Sequence, residues 1–201
     1  MTLRFGTDGL RGVAGRELTP ELAQALGRAA GRRLGRPGGA WLIGRDTRRS
    51  GPMLQAALAA GLAAEGVDVV DVGVIPTPGV AALAAAYGTP AAMISASHNP
   101  FADNGIKLFA TGGRKLTDEV EAALEADLLS ARPELRSGLD VGGIAADPDA
   151  LGWYRRQVVA GLEGRRLDGI RVAVDCGHGA ATVTAGAVLE AAGAEVVDLL
   201  G

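Results

Sequence analysis

A chain of 201 residues, 48% hydrophobic and 21% charged, can bury a core without a disulfide or metal staple, and this composition excludes bulk disorder. A formal net charge of −3 argues against a nucleic-acid partner, and the single cysteine, Cys176, allows no intrachain disulfide and fits a reducing, cytoplasmic compartment. Met1-Thr2-Leu3-Arg4 carries no apolar signal core and the alanine-rich run 54–64 is too short to span a bilayer, so no membrane partner is expected.

Phe5-Gly6-Thr7-Asp8-Gly9-Leu10-Arg11-Gly12 reads as a loop, too polar and glycine-rich for a strand. Its backbone N–H groups and Arg11 could meet an anion. An ordinary turn with an exposed arginine is the competing reading. Thr19-Pro20 supplies an N-cap and a first-turn proline for a helix that Arg32, Arg33 and Gly35 close. Trp41 to Ile43 reads as a buried strand. Gly44-Arg45-Asp46-Thr47-Arg48-Arg49-Ser50-Gly51 then runs from strand end to helix start, a common seat for phosphate, unless its Asp and Arg side chains merely stiffen the turn. Ser50-Gly51-Pro52 opens a second helix ending at Gly66, and Val67 to Val72 forms the next strand. Thr77-Pro78 opens a third helix ending near Gly88, followed by strands at Ala91 to Ser95 and Ile106 to Phe109. Thr117 opens a fourth helix with Asp118, Glu119 and Glu121 in its first turn. This alternation predicts a doubly wound α/β sheet with functional loops at 44–50, 73–77 and 96–105.

Residues 130–149 are rich in Pro and Gly and read as a connection, with a short strand near 140–144. A helix over 148–162, a strand over 169–175, a helix over 179–192 and a strand over 195–200 follow. One βαβ unit cannot cover both faces of its sheet. The second domain therefore reads as cut short, with an open edge near 195–200 available for self-association. Its turn, Asp175-Cys176-Gly177-His178-Gly179, partly matches a dinucleotide fingerprint with Asp198 about 20 residues on. Thr182 stands where the third glycine belongs, and a close-packed structural turn explains the segment equally.

Ser95-Ala96-Ser97-His98-Asn99-Pro100, followed by Asn104-Gly105-Ile106-Lys107, is the segment richest in chemistry. Asn99-Pro100 enforces a turn or extended backbone that could hold Ser97 and His98 at a loop tip. The pair suggests a nucleophile with its base, or a phosphoserine beside a cation; an ST-turn with a solvated histidine is the alternative. Ser97 lacks the Gly-x-Ser-x-Gly frame of a hydrolase elbow.

Taken in order, the Gly-Thr-Asp-Gly-Leu-Arg-Gly start, Gly44 to Gly51, Gly73-Val74-Ile75-Pro76-Thr77-Pro78, and Ser97-His98-Asn99-Pro100 with Gly105-Ile106-Lys107 resemble the α-D-phosphohexomutase superfamily. Within it they most resemble the bacterial phosphoglucosamine mutase branch. The resemblance implies an α/β fold: a doubly wound mixed sheet with helices on both faces over residues 1–132, an inter-domain connection over 133–152, and the first βαβ of a second, incomplete α/β domain over 153–201. It implies a longer parent with four domains, of which this chain is an N-terminal portion not expected to be active alone.

The implied reaction interconverts glucosamine 6-phosphate and glucosamine 1-phosphate through a phosphoserine enzyme and a bisphosphorylated sugar. Ser97 would carry the phosphoryl group and give a phosphate oxygen to Mg²⁺, the remaining metal ligands lying beyond the chain. His98 would handle protons, Lys107 would act as a cationic stabiliser and Arg11 would face phosphate. Phosphomannomutase or phosphoglucomutase activity, or a non-catalytic phosphosugar- or dinucleotide-binding module, are the alternative functions.

Overall fold

The computed structural model describes residues 5–6, 9–130 and 136–199. Thr7 and Asp8 of the N-terminal motif, and Leu200 of the last expected strand, lie outside the described residues. The main sheet is mixed. Its strands are β1 (Leu10–Val13), β2 (Ala40–Arg45), β3 (Asp68–Val74), β4 (Ala91–Ile94), β5 (Asp103–Ala110), β6 (Arg114–Lys115) and β7 (Ile144–Ala146). They lie in the order β1-β5-β4-β2-β3-β7, with β6 paired to β5. β4, β2, β3 and β7 are mutually parallel, and β5 runs antiparallel to both β4 and β1.

Alternation along the strands separates two cores, as expected for a sheet covered on both faces. Trp41, Ile43, Ala92, Ile94, Ile106 and Leu108 point to one side. There they meet Leu26 of α1 (Pro20–Leu34), Leu54, Leu58 and Leu62 of α2 (Gly51–Ala63) and Leu124 of α4 (Asp118–Ser130). Leu42, Val72, Ala91, Met93 and Phe109 point to the other side. They meet Val80 and Leu83 of α3 (Thr77–Tyr87) and Ala150 of α5 (Ala150–Ala160), with Trp153 and Tyr154 packed alongside.

The expected caps form. The Thr19 hydroxyl accepts the Leu22 N–H at 3.3 Å, and Arg32 and Arg33 occupy the last turn of α1. Arg28 and Arg32 both donate to Oε1 of the buried Glu65, at 3.0 and 2.8 Å, and so fasten α1 to the end of α2. These helices cross at Gly27 and Gly61, where backbone rests on backbone. A Cβ on Gly61 would overlap the Gln24 carbonyl oxygen. Gly61→Ala is therefore expected to destabilise the fold by about 3 kcal/mol, because helix backbones, unlike side-chain tips, cannot yield locally. Urea denaturation reads this directly; an unchanged midpoint would refute the close crossing.

The structure corrects several expectations. Leu10–Val13 is a strand, not a loop: Leu10 is fully buried and the segment pairs with β5 in the register Leu10↔Ile106 to Val13↔Asp103. Tertiary pairing overrides weak local propensity here, as it does at sheet edges. β5 starts at Asp103, not Ile106, because β1 supplies a partner for its polar first residues. The connection strand falls at Ile144–Ala146, after a 3-10 turn over Gly138–Asp140, and docks on β3. The helix expected over 179–192 is a 3-10 turn (Ala180–Val183) followed by α6 (Ala185–Ala191), broken at Thr184. β8 (Arg171–Val174) and β9 (Glu195–Asp198) pair in parallel as a separate two-stranded sheet, the βαβ unit expected from the pattern. The Arg155 side chain of α5 donates to the Val183 carbonyl, so α5 touches both sheets.

Candidate active site

The parallel strands β2, β3 and β4 all deliver their carboxyl ends to one edge of the main sheet, where the following loops gather. β4 ends at Ile94, and residues 95–102 turn back into the antiparallel β5. Ser97 sits exposed on this turn with φ 55°, the left-handed region that a serine rarely occupies. Its N–H donates to Ser95 Oγ at 3.0 Å. Its own Oγ lies 3.4 Å from His98 Nδ1, too far for more than a weak hydrogen bond.

Register explains how residues distant in sequence reach Ser97. Arg11 stands opposite Gly105, and Met93 opposite Lys107. Gly105 and Lys107 are two apart on β5 and so share a face, which Arg11 and Met93 also share. A Cβ at Gly105 would come within 2.6 Å of the Ser95 carbonyl oxygen and 3.0 Å of Arg11 Cγ. Glycine is what lets the Arg11 side chain lie across β5. Arg11 Nη1 then donates to Asn99 Oδ1 at 3.3 Å. Arg11, Lys107, Ser95, Ser97, Thr77 and Met93 line one cavity of about 230 Å³. The structure thus brings Ser97, Arg11 and Lys107 together. Lys107 is half-buried, its Nζ 5.9 Å from the centroid of the Phe109 ring.

His98 faces elsewhere. It lines a wider cleft of about 570 Å³, shared with Ser97, Arg49, Phe101 and the turn Gly177 to Gly179. Ser97 alone among the four candidate residues borders both spaces. In the second sheet's turn the Gly177 N–H donates to Asp175 Oδ1 at 2.8 Å, His178 has φ 54°, and the Thr47 hydroxyl donates to the His178 carbonyl. The four-residue 3-10 turn and seven-residue α6 that follow give a pyrophosphate a poor seat compared with a long helix start.

Sequence reasoning did not single out Asp46, Arg48 and Ser95 individually, and they prove central to this edge. Asp46 is buried, and its Oδ2 accepts from Ser95 Oγ at 2.7 Å and from Arg48 Nε at 3.1 Å. The Asp–Arg pair foreseen as stiffening the 44–51 turn is present, but Arg48 reaches further. Its Nη1 donates to the carbonyls of Pro100 (2.6 Å) and Asp103 (3.0 Å), and its Nη2 to those of Ser97 and Asn99 (both 2.8 Å). Serine-to-serine spacing (Ser95, Ser97) and the Gly-Arg-Asp turn were the only signals available.

Among the described residues no three His, Cys, Asp or Glu side chains converge as a metal site requires. The carboxylates near Ser97 are committed: Asp46 to Arg48 and Ser95, and Asp103 to the Asn99 amide at 3.0 Å. The chain's own side chains therefore do not fit a resident Mg²⁺, and only a phosphate on Ser97 would add a donor. Among the described residues no helix is long and apolar enough to cross a membrane.

Residues 2–134 match the family model described as phosphoglucomutase/phosphomannomutase, alpha/beta/alpha domain I. The chain is 51% identical to a phosphoglucosamine mutase of Mycolicibacterium gilvum over 99% of its own length and 46% of the relative's. It is 54% identical to a phosphoglucosamine mutase of Symbiobacterium thermophilum, again over 99% and 46%. It thus spans about half the length of the curated relatives it matches. Among solved structures, a phosphoglucomutase/phosphomannomutase family protein from Burkholderia thailandensis superposes with a TM-score of 0.81 at 33% identity, over 97% of this chain and 43% of that one.

Proposed function

The chain belongs to the phosphoglucomutase/phosphomannomutase family, and on that premise we propose that the complete gene product is a phosphosugar mutase, with glucosamine phosphate as its substrate and Ser97 as its phosphoryl carrier. The observation that carries this reading is the position of Ser97: an exposed hydroxyl on a held turn, bordering a cavity lined by Arg11 and Lys107. Phosphoryl transfer needs an in-line nucleophile and positive charge around the moving oxygens more than covalent help from the protein. A phosphoserine brings about −1.5 to −2 charge, which Arg11 and Lys107 are placed to balance.

In the proposed cycle the Ser97 phosphoryl group passes to a free hydroxyl of the monophosphorylated sugar. The hydroxyl loses its proton, Ser97 Oγ leaves, and a bisphosphorylated sugar results. That sugar turns over, its other phosphoryl group returns to Ser97 Oγ, and the isomeric monophosphate departs. His98, beside Ser97 on the cleft side, is assigned the proton exchanges. Mg²⁺ belongs to the proposal through the Ser97 phosphate only, with no other residue of this chain assigned to it. The glucosamine substrate rests on the names of the curated relatives. A cytoplasmic location and the division at residues 1–132, 133–152 and 153–201 belong to the same reading.

The test incubates the complete gene product with glucosamine 6-phosphate, glucose 6-phosphate or mannose 6-phosphate, each with a catalytic amount of hexose bisphosphate. Formation of glucosamine 1-phosphate and a phosphopeptide containing Ser97 support the reading. Turnover of glucose or mannose phosphate alone would reassign the sugar, and turnover without phosphate ever on Ser97 would reject the carrier.

Self-association through the second sheet is a further part of the proposal. In the described residues β8 and β9 pair only with each other, and Ile170 and Leu199 are exposed beside them. Light scattering of the 201-residue chain should show concentration-dependent association. A monomer at all concentrations would rule it out.

A further inference from the structure

We propose that Arg48, together with Asp46 and Ser95, is a positioning device that fixes the Ser97 turn for phosphoryl transfer; the proposal rests on the phosphoserine reading above. A guanidinium has five N–H donors. Those of Arg48 meet five protein acceptors: Asp46 Oδ2 and the carbonyls of Ser97, Asn99, Pro100 and Asp103. No donor remains for a ligand. This separates Arg48 from the phosphate-seat reading of the 44–51 turn and from Arg11 and Lys107, which line the cavity itself.

The same network holds Ser97 from both sides. Its N–H is bound to Ser95 Oγ, its carbonyl to Arg48 Nη2, and both partners converge on Asp46 Oδ2. A serine does not choose φ 55° freely, and a turn without helix or strand supplies little restraint of its own. Anchoring the two peptide groups that flank Ser97 removes the rotations that would swing its hydroxyl out of line. Burial of Asp46 keeps water from competing for Oδ2. There is an electrostatic consequence as well. Four carbonyl oxygens drawn onto one cation turn their negative ends toward Arg48 and away from a doubly charged phosphate on Ser97.

The experiment uses Arg48→Lys and Ser95→Ala in the complete gene product, with Ser97→Ala as the reference. A lysine ammonium has three donors on a flexible stem and cannot reproduce a planar fork meeting five acceptors. Misplacing the hydroxyl by a fraction of a turn should lower kcat on the order of tenfold to a hundredfold. KM should stay within about threefold, since no substrate contact is removed. Amide exchange should accelerate within 96–104 and not in the core strands. Wild-type kcat in both variants would overturn the positioning role. So would a kcat loss that tracks global unfolding with 96–104 exchanging as in the wild type. If Arg48→Lys fails to fold, Ser95→Ala decides alone, because it leaves the arginine clamp and removes only the acceptor of the Ser97 N–H. An active Ser97→Ala enzyme would instead sink the phosphoserine reading itself; an inactive one beside unaffected Arg48→Lys and Ser95→Ala enzymes would sink the positioning role alone.

Discussion

Ser97→Ala in the complete gene product is expected to abolish mutase turnover, by on the order of 10⁴-fold or more, while leaving the fold intact. Both halves of that expectation come from the geometry. The hydroxyl is exposed and its one listed neighbour, His98 Nδ1, is 3.4 Å away, so its removal strands no buried polar group. The anchors of the turn are backbone groups of residue 97, its N–H and carbonyl, which alanine keeps. Stability should therefore change by no more than about 0.5 kcal/mol, as for surface substitutions that break no special feature. Activity, by contrast, has no second carrier. Ser95, the other hydroxyl in the smaller cavity, already donates to Asp46 and accepts from Ser97. A coupled assay of glucosamine 1-phosphate formation and a denaturation curve on the same preparation check the two halves together. Full turnover with native stability would mean that the phosphoryl group travels by another route.

Features decided by local chemistry were legible in the sequence. Thr19-Pro20 and Gly35 bracket a helix because cap and proline act within a turn of themselves. The apolar run Trp41-Leu42-Ile43 reads as a buried strand because both of its faces are covered. β1 was illegible because what stabilises Leu10 to Val13 is β5, some 90 residues away, and nothing local distinguishes such an edge strand from a polar loop. The candidate site divides in the same way. Ser97, His98, Lys107 and Arg11 were named through resemblance, and only the β1–β5 register shows why Arg11 reaches the Ser97 side of the sheet. Arg48 could not be recognised by its partners at all. Four of its five acceptors are backbone carbonyls, which every residue type supplies and no sequence pattern marks.

The second large effect is expected at Lys107. Replacing it by alanine should lower kcat on the order of 10²- to 10³-fold with a much smaller change in KM, the range seen when one preorganised stabiliser of developing charge is removed. The structural cost should be slight, since the contact with the Phe109 ring at 5.9 Å is worth about 0.5–1 kcal/mol. The effect falls on kcat because charge on the oxygens around the transferring phosphorus redistributes in the transition state, where a fixed ammonium gains most. Arg11→Ala should cost a similar factor but carry a second signature. Arg11 also donates to Asn99 Oδ1, so its loss should loosen the Ser97 turn as well as remove a charge. The two cations line one cavity of about 230 Å³ and act on one phosphate, so the double variant should lose less than the product of the single losses. Strict multiplicativity in that cycle, measured as kcat at saturating substrate, would show that Lys107 and Arg11 serve different groups and that the shared cavity is not the seat of the phosphoryl group.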